Sequence, residues 1–204
     1  MTVQLTRTRR QTILRAALEA FSAHGYEDTS IEQICATAPC SVGSFYHHFH
    51  SKEGVAAALY ESAVDQFQAG LLTALEQPLE PRSMVSLLVR SHLTWARDNE
   101  LWARYMLQMG AAPATATSRP SVKAKNRSLL DAVTEWSRHP IEAGRIADLP
   151  ASALLAQILG PSYFITKAWL AGGVEITDGL IDQFAVSAWQ AVAMIGAPGA
   201  SRLR

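Results

Sequence analysis

The sequence predicts an all-α fold, and three observations predict it. Apolar residues recur at spacings of three and four in one segment after another, the signature of helices with one buried face. No stretch of useful length alternates apolar and polar residues as a half-buried strand would. The periodic segments are separated by Gly and Pro and preceded by Ser, Thr or Asp where an N-cap is needed. About nine helices are expected. With 49% hydrophobic and 18% charged residues in 204, the chain has enough apolar material for a core and too much for a disordered segment.

The elements follow in order. Ile13, Leu14, Ala17, Leu18, Ala20 and Phe21 form one stripe that ends at His24-Gly25, a natural C-cap. Asp28, Thr29 and Ser30 offer cap oxygens for Ile31–Thr37, with Glu32 and Gln33 in its first turn. Pro39 must end that helix. Ser41 caps Val42–Phe49, and Ser51 caps a long helix, Lys52–Leu75, with Ala56, Leu59, Ala63, Phe67 and Leu71 on one side. Beyond a break at Pro78 and Pro81, helical patterns cover 83–99, 100–110, 121–137, 151–171 and 178–195. The small, polar stretch 111–120 reads as a mobile loop, and 139–150, with two prolines and Gly144, as a second loop. Pro161 removes the helical bond to Gln157, so a kink is expected there.

Composition shifts at the Pro78/Pro81 break, since all five tryptophans (Trp95, Trp102, Trp136, Trp169, Trp189) lie beyond it. A small three-helix head and a larger helical body are expected. The net charge is zero, with 18 basic and 18 acidic side chains, but residues 1–15 carry Arg7, Arg9, Arg10 and Arg15 and no acid. Such a local basic arm is what meets phosphates. Cys35 and Cys40 are too few for a disulfide framework and wrongly spaced for a redox or zinc motif. No leader peptide or membrane-length apolar run is visible, so a cytoplasmic protein without membrane contact is expected.

Residues 30–49 carry the function. Two short helices joined by a tight turn, the second opening on a Ser cap, fit a helix-turn-helix whose second helix enters the major groove. Val42, Phe45 and Phe49 recur at i, i+3 and i+7 and should face a small core, which leaves Ser44, Tyr46, His47 and His48 for DNA. Lys52 opens the next helix, where backbone N–H groups already favour phosphate.

The run Phe21, Gly25-Tyr26, Thr29-Ser30-Ile31, Ile34, Ala38, Ser41, Gly43, Tyr46, His48-Phe49 and Ser51-Lys52-Glu53 resembles the DNA-binding region of the TetR family of bacterial transcriptional regulators. The resemblance rests on about a quarter of the chain. It implies a DNA-binding domain over 7–67 and an effector-binding and dimerisation domain over 68–204. It also implies a homodimer on a palindromic double-stranded operator, released by a small lipophilic or aromatic effector, and no cofactor or metal. Tyr46 and Lys52 would grip phosphates, joined by Thr29 and Ser41, while Ser44, His47 and Val42 meet base edges. With Arg9, Arg10 and Phe45 these make up the expected DNA-binding set. Two departures stand out. Ala38-Pro39-Cys40 replaces the family's Ala-Gly-Val, leaving the angle of the recognition helix open, and residues 33–51 contain no Lys or Arg for bidentate guanine readout. Affinity must then rest on Arg7, Arg9, Arg10 and Lys52.

The remaining signals are weaker. His47, His48 and His50 are read as DNA-facing or solvated rather than metal ligands, because neighbours on a helix point apart. The cysteines are read as inert, with a redox pair as the alternative. The cluster Arg119, Lys123, Lys125 and Arg127 is read as a solvated helix start, with an anionic effector or partner as the alternative. Guided by where the family holds effectors, Phe67, Trp95, Trp102, Tyr105, Met106 and Phe164 are expected to line an apolar pocket. The last two helices carry stripes expected at a four-helix dimer interface: Leu155, Ile158, Leu159, Ser162, Ile165 and Trp169, then Ile181, Phe184, Ala188 and Val192. Lys52–Leu75 is expected to be the only link from pocket to head. No nucleophile, phosphate-loop or metallohydrolase motif argues for an enzyme. The other reading is an interaction module that kept the fold without specific DNA binding.

Overall fold

The computed structural model describes residues 2–194, with side chains from residue 9 onward, so the side chain of Arg7 and all of Ile195 lie outside the described residues. Nine α-helices occur among the described residues: α1 (Thr2–His24), α2 (Ile31–Thr37), α3 (Val42–Phe49), α4 (Lys52–Leu75), α5 (Pro81–Asp98), α6 (Glu100–Met109), α7 (Arg119–Glu142), α8 (Ala151–Leu170) and α9 (Asp178–Val192). The only extended pairing described is an isolated antiparallel bridge between Ile146 and Ala193.

The local chemistry explains the boundaries. Gly25, at φ 82°, closes α1 and returns its N–H to the Phe21 carbonyl at 2.9 Å. Of the three cap candidates before α2, Ser30 is used. Its Oγ accepts from Gln33 N at 3.2 Å while Gln33 Oε1 accepts from Ser30 N at 2.7 Å, a reciprocal capping box. Ser41 Oγ accepts from Ser44 N at 3.1 Å and opens α3, and Ser51 Oγ accepts from Gly54 N at 3.1 Å and opens α4. A Cβ at Gly54 would collide with the Phe49 carbonyl, so the turn between α3 and α4 demands a glycine there.

Prolines account for the differences from expectation. Pro81 and Pro120 sit in first turns, where a missing N–H costs nothing, so α5 and α7 begin earlier than their apolar patterns. Pro140 lies in the last turn of α7, which runs to Glu142. Residues 111–120, expected to be a mobile loop, instead hold a 3-10 helix, Pro113–Ser118. There the buried Thr115 hydroxyl lies 2.9 Å from the Met109 carbonyl, and Ser118 donates to the Thr115 carbonyl at 2.7 Å.

The chain divides into two compact units. One comprises the residues up to Asp65 with Asn99–Ala124, the other Gln66–Asp98 with the residues from Lys125. The chain therefore crosses between them within α4, between α5 and α6, and within α7, so α4 is not the only covalent link. The first unit is built on Ile13, Ala17, Phe21, Ile34, Phe45 and Leu59. It also takes in α6, whose Tyr105 ring stacks on Phe21 at 6.1 Å and whose hydroxyl donates to the Ala56 carbonyl at 2.9 Å. The second unit packs α5, α8 and α9 around Met84, Leu88, Leu93, Leu154, Ile158 and Ile181.

Much of the stripe expected at an interface on the last two helices packs into this core. Ile158, Leu159, Ser162, Ile181, Ala188 and Val192 are buried within the chain itself, and Leu155, Ile165, Trp169 and Phe184 are half-buried against the same core. Stripes this apolar cover their own unit first. The faces of α8 and α9 that remain exposed carry Ala156, Gly160, Phe164, Val186 and Ser187.

Candidate nucleic-acid interface and cavity

Helix α3 is eight residues long and two of its side chains anchor it. Phe45 and Phe49 are buried, 5.6 Å apart, in the core of the first unit. The opposite face presents Val42, Gly43, Tyr46 and His47, with Ser44 half-buried beside them. Tyr46 is 47% exposed and Val42 39%, both high for apolar bodies on a folded surface. Ser41 Oγ accepts the cap bond from Ser44 N, so its hydroxyl proton remains able to donate outward.

Positive charge comes from α1. The Arg10 guanidinium stands 5.3 Å from the Phe49 ring centroid, a cation–π contact that fixes it beside the C-terminal end of α3. Arg9 and Arg10 are both exposed. Burial, His47 and these two arginines lower the pKa of His48, which keeps that imidazole neutral. Arg9 and Arg10 therefore supply the cationic edge beside His48.

Three members of the expected DNA-binding set are placed elsewhere. Phe45 is fully buried and holds α3 from beneath. Thr29 is 2% exposed, and its hydroxyl lies 2.6 Å from the Gly25 carbonyl, which it satisfies as donor. Lys52 Nζ donates to the carbonyls of Tyr26, Glu27 and Thr29 at 2.9, 3.0 and 3.2 Å and sits 4.5 Å from the Tyr26 ring centroid. All three ammonium protons are used, so Lys52 ties the loop between α1 and α2 to the start of α4. Tyr26 completes the tie by donating to Glu53 Oε1 at 3.2 Å, and burial with the Glu53 charge pushes its phenol up to about 12. Arg9, Arg10, Ser41, Val42, Ser44, Tyr46 and His47 remain together on one surface.

Cys35 is buried, and burial followed by its neighbour Cys40 pushes its thiol up to about 11, the behaviour of an inert hydrophobe. Beyond α2 the turn closes where the Cys40 N–H donates to the Cys35 carbonyl at 3.2 Å, a six-residue closure of the kind that ends helices.

The expected effector residues fall in both units. Tyr105 is a core residue of the first unit, Trp102 packs against that core, and Met106 lies on the same helix. Phe164 is 72% exposed. Phe67, with Trp95 5.3 Å from it, borders a cavity of useful size. That cavity, about 430 Å³ within the second unit, is walled by Leu129, Leu155, Leu159 and the Tyr163 ring, has the Ser152 and Tyr163 hydroxyls in its lining, and carries Gln68, His92 and Asn126. Gln68 Nε2 donates to Asn126 Oδ1 at 2.7 Å. Sequence reasoning missed all three. A signal existed for His92, the one imidazole in the apolar stripe Leu88, Val89, Leu93 and Ala96 of α5, and none for Asn126. Among the described residues no helix is long and apolar enough to cross a membrane, and no cluster of His, Cys, Asp or Glu could hold a metal ion.

Comparison with known proteins agrees with this geometry. Residues 13–59, which span the second half of α1 through the first turns of α4, match the family model described as bacterial regulatory proteins, tetR family. The chain is 29% identical over 160 residues to the HTH-type transcriptional regulator UidR of Escherichia coli (strain K12), covering 76% of each protein. Its fold matches the crystal structure of a TetR family transcription regulator from Marinobacter aquaeolei VT8 with a TM-score of 0.77 at 22% identity, over 94% of this chain and 98% of that one. It also matches AibR, solved with isovaleryl coenzyme A and operator DNA, with a TM-score of 0.69 at 21% identity, over 89% and 96%. The helix-turn-helix formed by α2 and α3 lies within the matched residues 13–59, so the chain carries a DNA-binding domain of the tetR family of bacterial regulatory proteins.

Proposed function

We propose that the chain acts in the cytoplasm as a homodimeric repressor that binds a palindromic operator and is released by a small lipophilic or aromatic effector. The observation that carries this reading is the exposed face of α3, where Ser41, Val42, Ser44, Tyr46 and His47 lie beside Arg9 and Arg10. Tyr46, Ser41 and the arginines are assigned to phosphates and Ser44, His47 and Val42 to base edges, within a DNA-binding domain over 7–67. Residues 68–204 form the effector and dimerisation domain, with the cavity beside Phe67 and His92 as the effector site. AibR, similar in fold, was solved with both an acyl thioester and operator DNA, which supports the pairing of the two sites. The exposed faces of α8 and α9, with Phe164 and Val186, are assigned to the dimer contact.

An effector shifts DNA binding only by its differential affinity for two states of the dimer. Helix α4 carries Val55 and Leu59 in the core of the first unit and lends Phe67 and Gln68 to the cavity of the second. A ligand that displaces those two side chains acts on the same helix that supports α3.

The test is sedimentation with a salt titration of duplex binding. A dimer whose affinity falls steeply as salt rises supports the reading. A monomer, or binding indifferent to salt, overturns it. One observation favours the interaction-module reading, the lack of any Lys or Arg in residues 33–51. Under that reading no duplex is preferred at any salt concentration.

A further inference from the structure

The cavity of the second unit has a polar specificity of its own. Its lining contains no Lys, Arg, Asp or Glu, so a ligand's charge would lose its hydration there without gaining a counter-charge. Within this apolar wall His92 is buried, and burial lowers its pKa to about 4, so the imidazole is neutral at physiological pH.

The neighbouring bonds fix which nitrogen carries the proton. Thr166 Oγ1 donates its one hydrogen to the Ser162 carbonyl at 2.8 Å. Toward His92 Nε2, 3.4 Å away, Thr166 Oγ1 can then only accept. The proton therefore sits on Nε2, and Nδ1 is a bare lone pair. Nδ1 has no hydrogen-bond partner in the protein, and of the buried side-chain atoms in that condition (His92 Nδ1, Arg145 Nε and Ser162 Oγ) it is the one whose residue lines this cavity. A buried acceptor without a donor is costly to leave unpaired. The Phe67 ring, edge-on to the imidazole at 5.1 Å, supplies an aromatic surface next to it.

We propose that this cavity takes an uncharged, mainly apolar molecule bearing a hydroxyl or N–H group that donates a hydrogen bond to His92 Nδ1, with a phenol as the simplest match. The inference rests on the reading of the cavity as the effector site and names the chemical class that the site selects. A carboxylate is disfavoured twice, by the apolar wall and by an acceptor facing an acceptor. The phosphates of a coenzyme A thioester find no cation in the lining.

The test titrates the full-length protein with para-butylphenol, its methyl ether and para-butylbenzoate at neutral pH, read by calorimetry. The phenol should bind roughly tenfold or more tighter than either analogue, the ratio expected for one hydrogen bond to a buried acceptor. In His92→Leu the phenol should lose that preference over the ether. Equal affinities for phenol and ether in the unsubstituted protein, tightest binding of the benzoate, or no binding of any of the three would overturn the proposal. Because the phenol–ether ratio is read without any substitution, the test stands even if His92→Leu does not fold. Duplex binding is followed on the same samples. A phenol preference with no effect on the duplex would overturn the effector reading and leave the ligand chemistry standing. Duplex release by the ether and phenol alike would do the converse.

Discussion

Removing the Lys52 ammonium tests how the head is held together. In the structure Nζ is the shared donor for three carbonyls of the loop between α1 and α2 and lies over the Tyr26 ring. A charged donor contributes about 1.5–3 kcal/mol per well-formed bond, yet the Glu27 carbonyl is exposed and rehydrates once the lysine is gone. The half-buried carbonyls of Tyr26 and Thr29 recover only in part, which puts the loss for Lys52→Ala at about 2 kcal/mol. For a chain of this size that is about 4–8 °C in melting temperature. The assay pairs a thermal melt with duplex binding across a salt series. Lys52→Ala should melt lower and bind more weakly with an unchanged dependence on salt, because it releases no counterion. A phosphate contact behaves in the opposite way, leaving the melt unchanged and reducing the slope of log K against log salt by about 0.9. That second pattern would refute the structural assignment of Lys52.

Other perturbations separate the supports of α3 from its reading face. Phe45→Ala empties a fully buried aromatic site and should cost about 3–5 kcal/mol, seen as urea unfolding at much lower midpoint with loss of all duplex binding. Gly54→Ala places a methyl against the Phe49 carbonyl and should weaken both folding and duplex binding, whereas the same change at Gly43, where only Ser41 Oγ comes near, should leave folding intact. His92 adds a pH dependence. Its folded pKa of about 4 lies below the ordinary 6.5, so the unfolded chain binds the extra proton between those values. Its contribution is complete above pH 6.5 and is lost as pH falls toward 4, by roughly 3 kcal/mol. The urea midpoint of the parent should therefore fall more steeply on acidification than that of His92→Leu, and parallel curves would contradict the assignment.

The parts of the head that depend on neighbours in sequence were legible. The caps Ser41 and Ser51, the stop at Gly25 and the buried pair Phe45 and Phe49 follow from spacing and hydrogen-bonding capacity within a few residues. The roles of Thr29 and Ser30 were not separable that way, since both are good caps and only the buried turn at Gly25 diverts the threonine hydroxyl. Lys52 shows the limit more sharply. Its charge is visible in sequence, but the carbonyls that consume it lie 23 to 26 residues earlier and join it only through the packing of α1, α2 and α4. Tyr105 shows the same limit, because its periodicity says that it is buried and not which unit it is buried in. The stripes on α8 and α9 were legible as apolar, but a hydrophobic face does not say how much of it its own chain covers.

The central claim is that the exposed face of α3 reads DNA sequence while the arginines beside it hold the backbone. Selection of a random duplex library on the purified protein at near-physiological salt tests it most directly, run in parallel with His47→Ala and with Arg10→Ala. The account predicts a two-fold symmetric consensus for the parent, a changed base preference at about 1–3 kcal/mol per position for His47→Ala, and an unchanged consensus with weaker recovery for Arg10→Ala. No enrichment, or one identical consensus at equal strength from all three proteins, would contradict it.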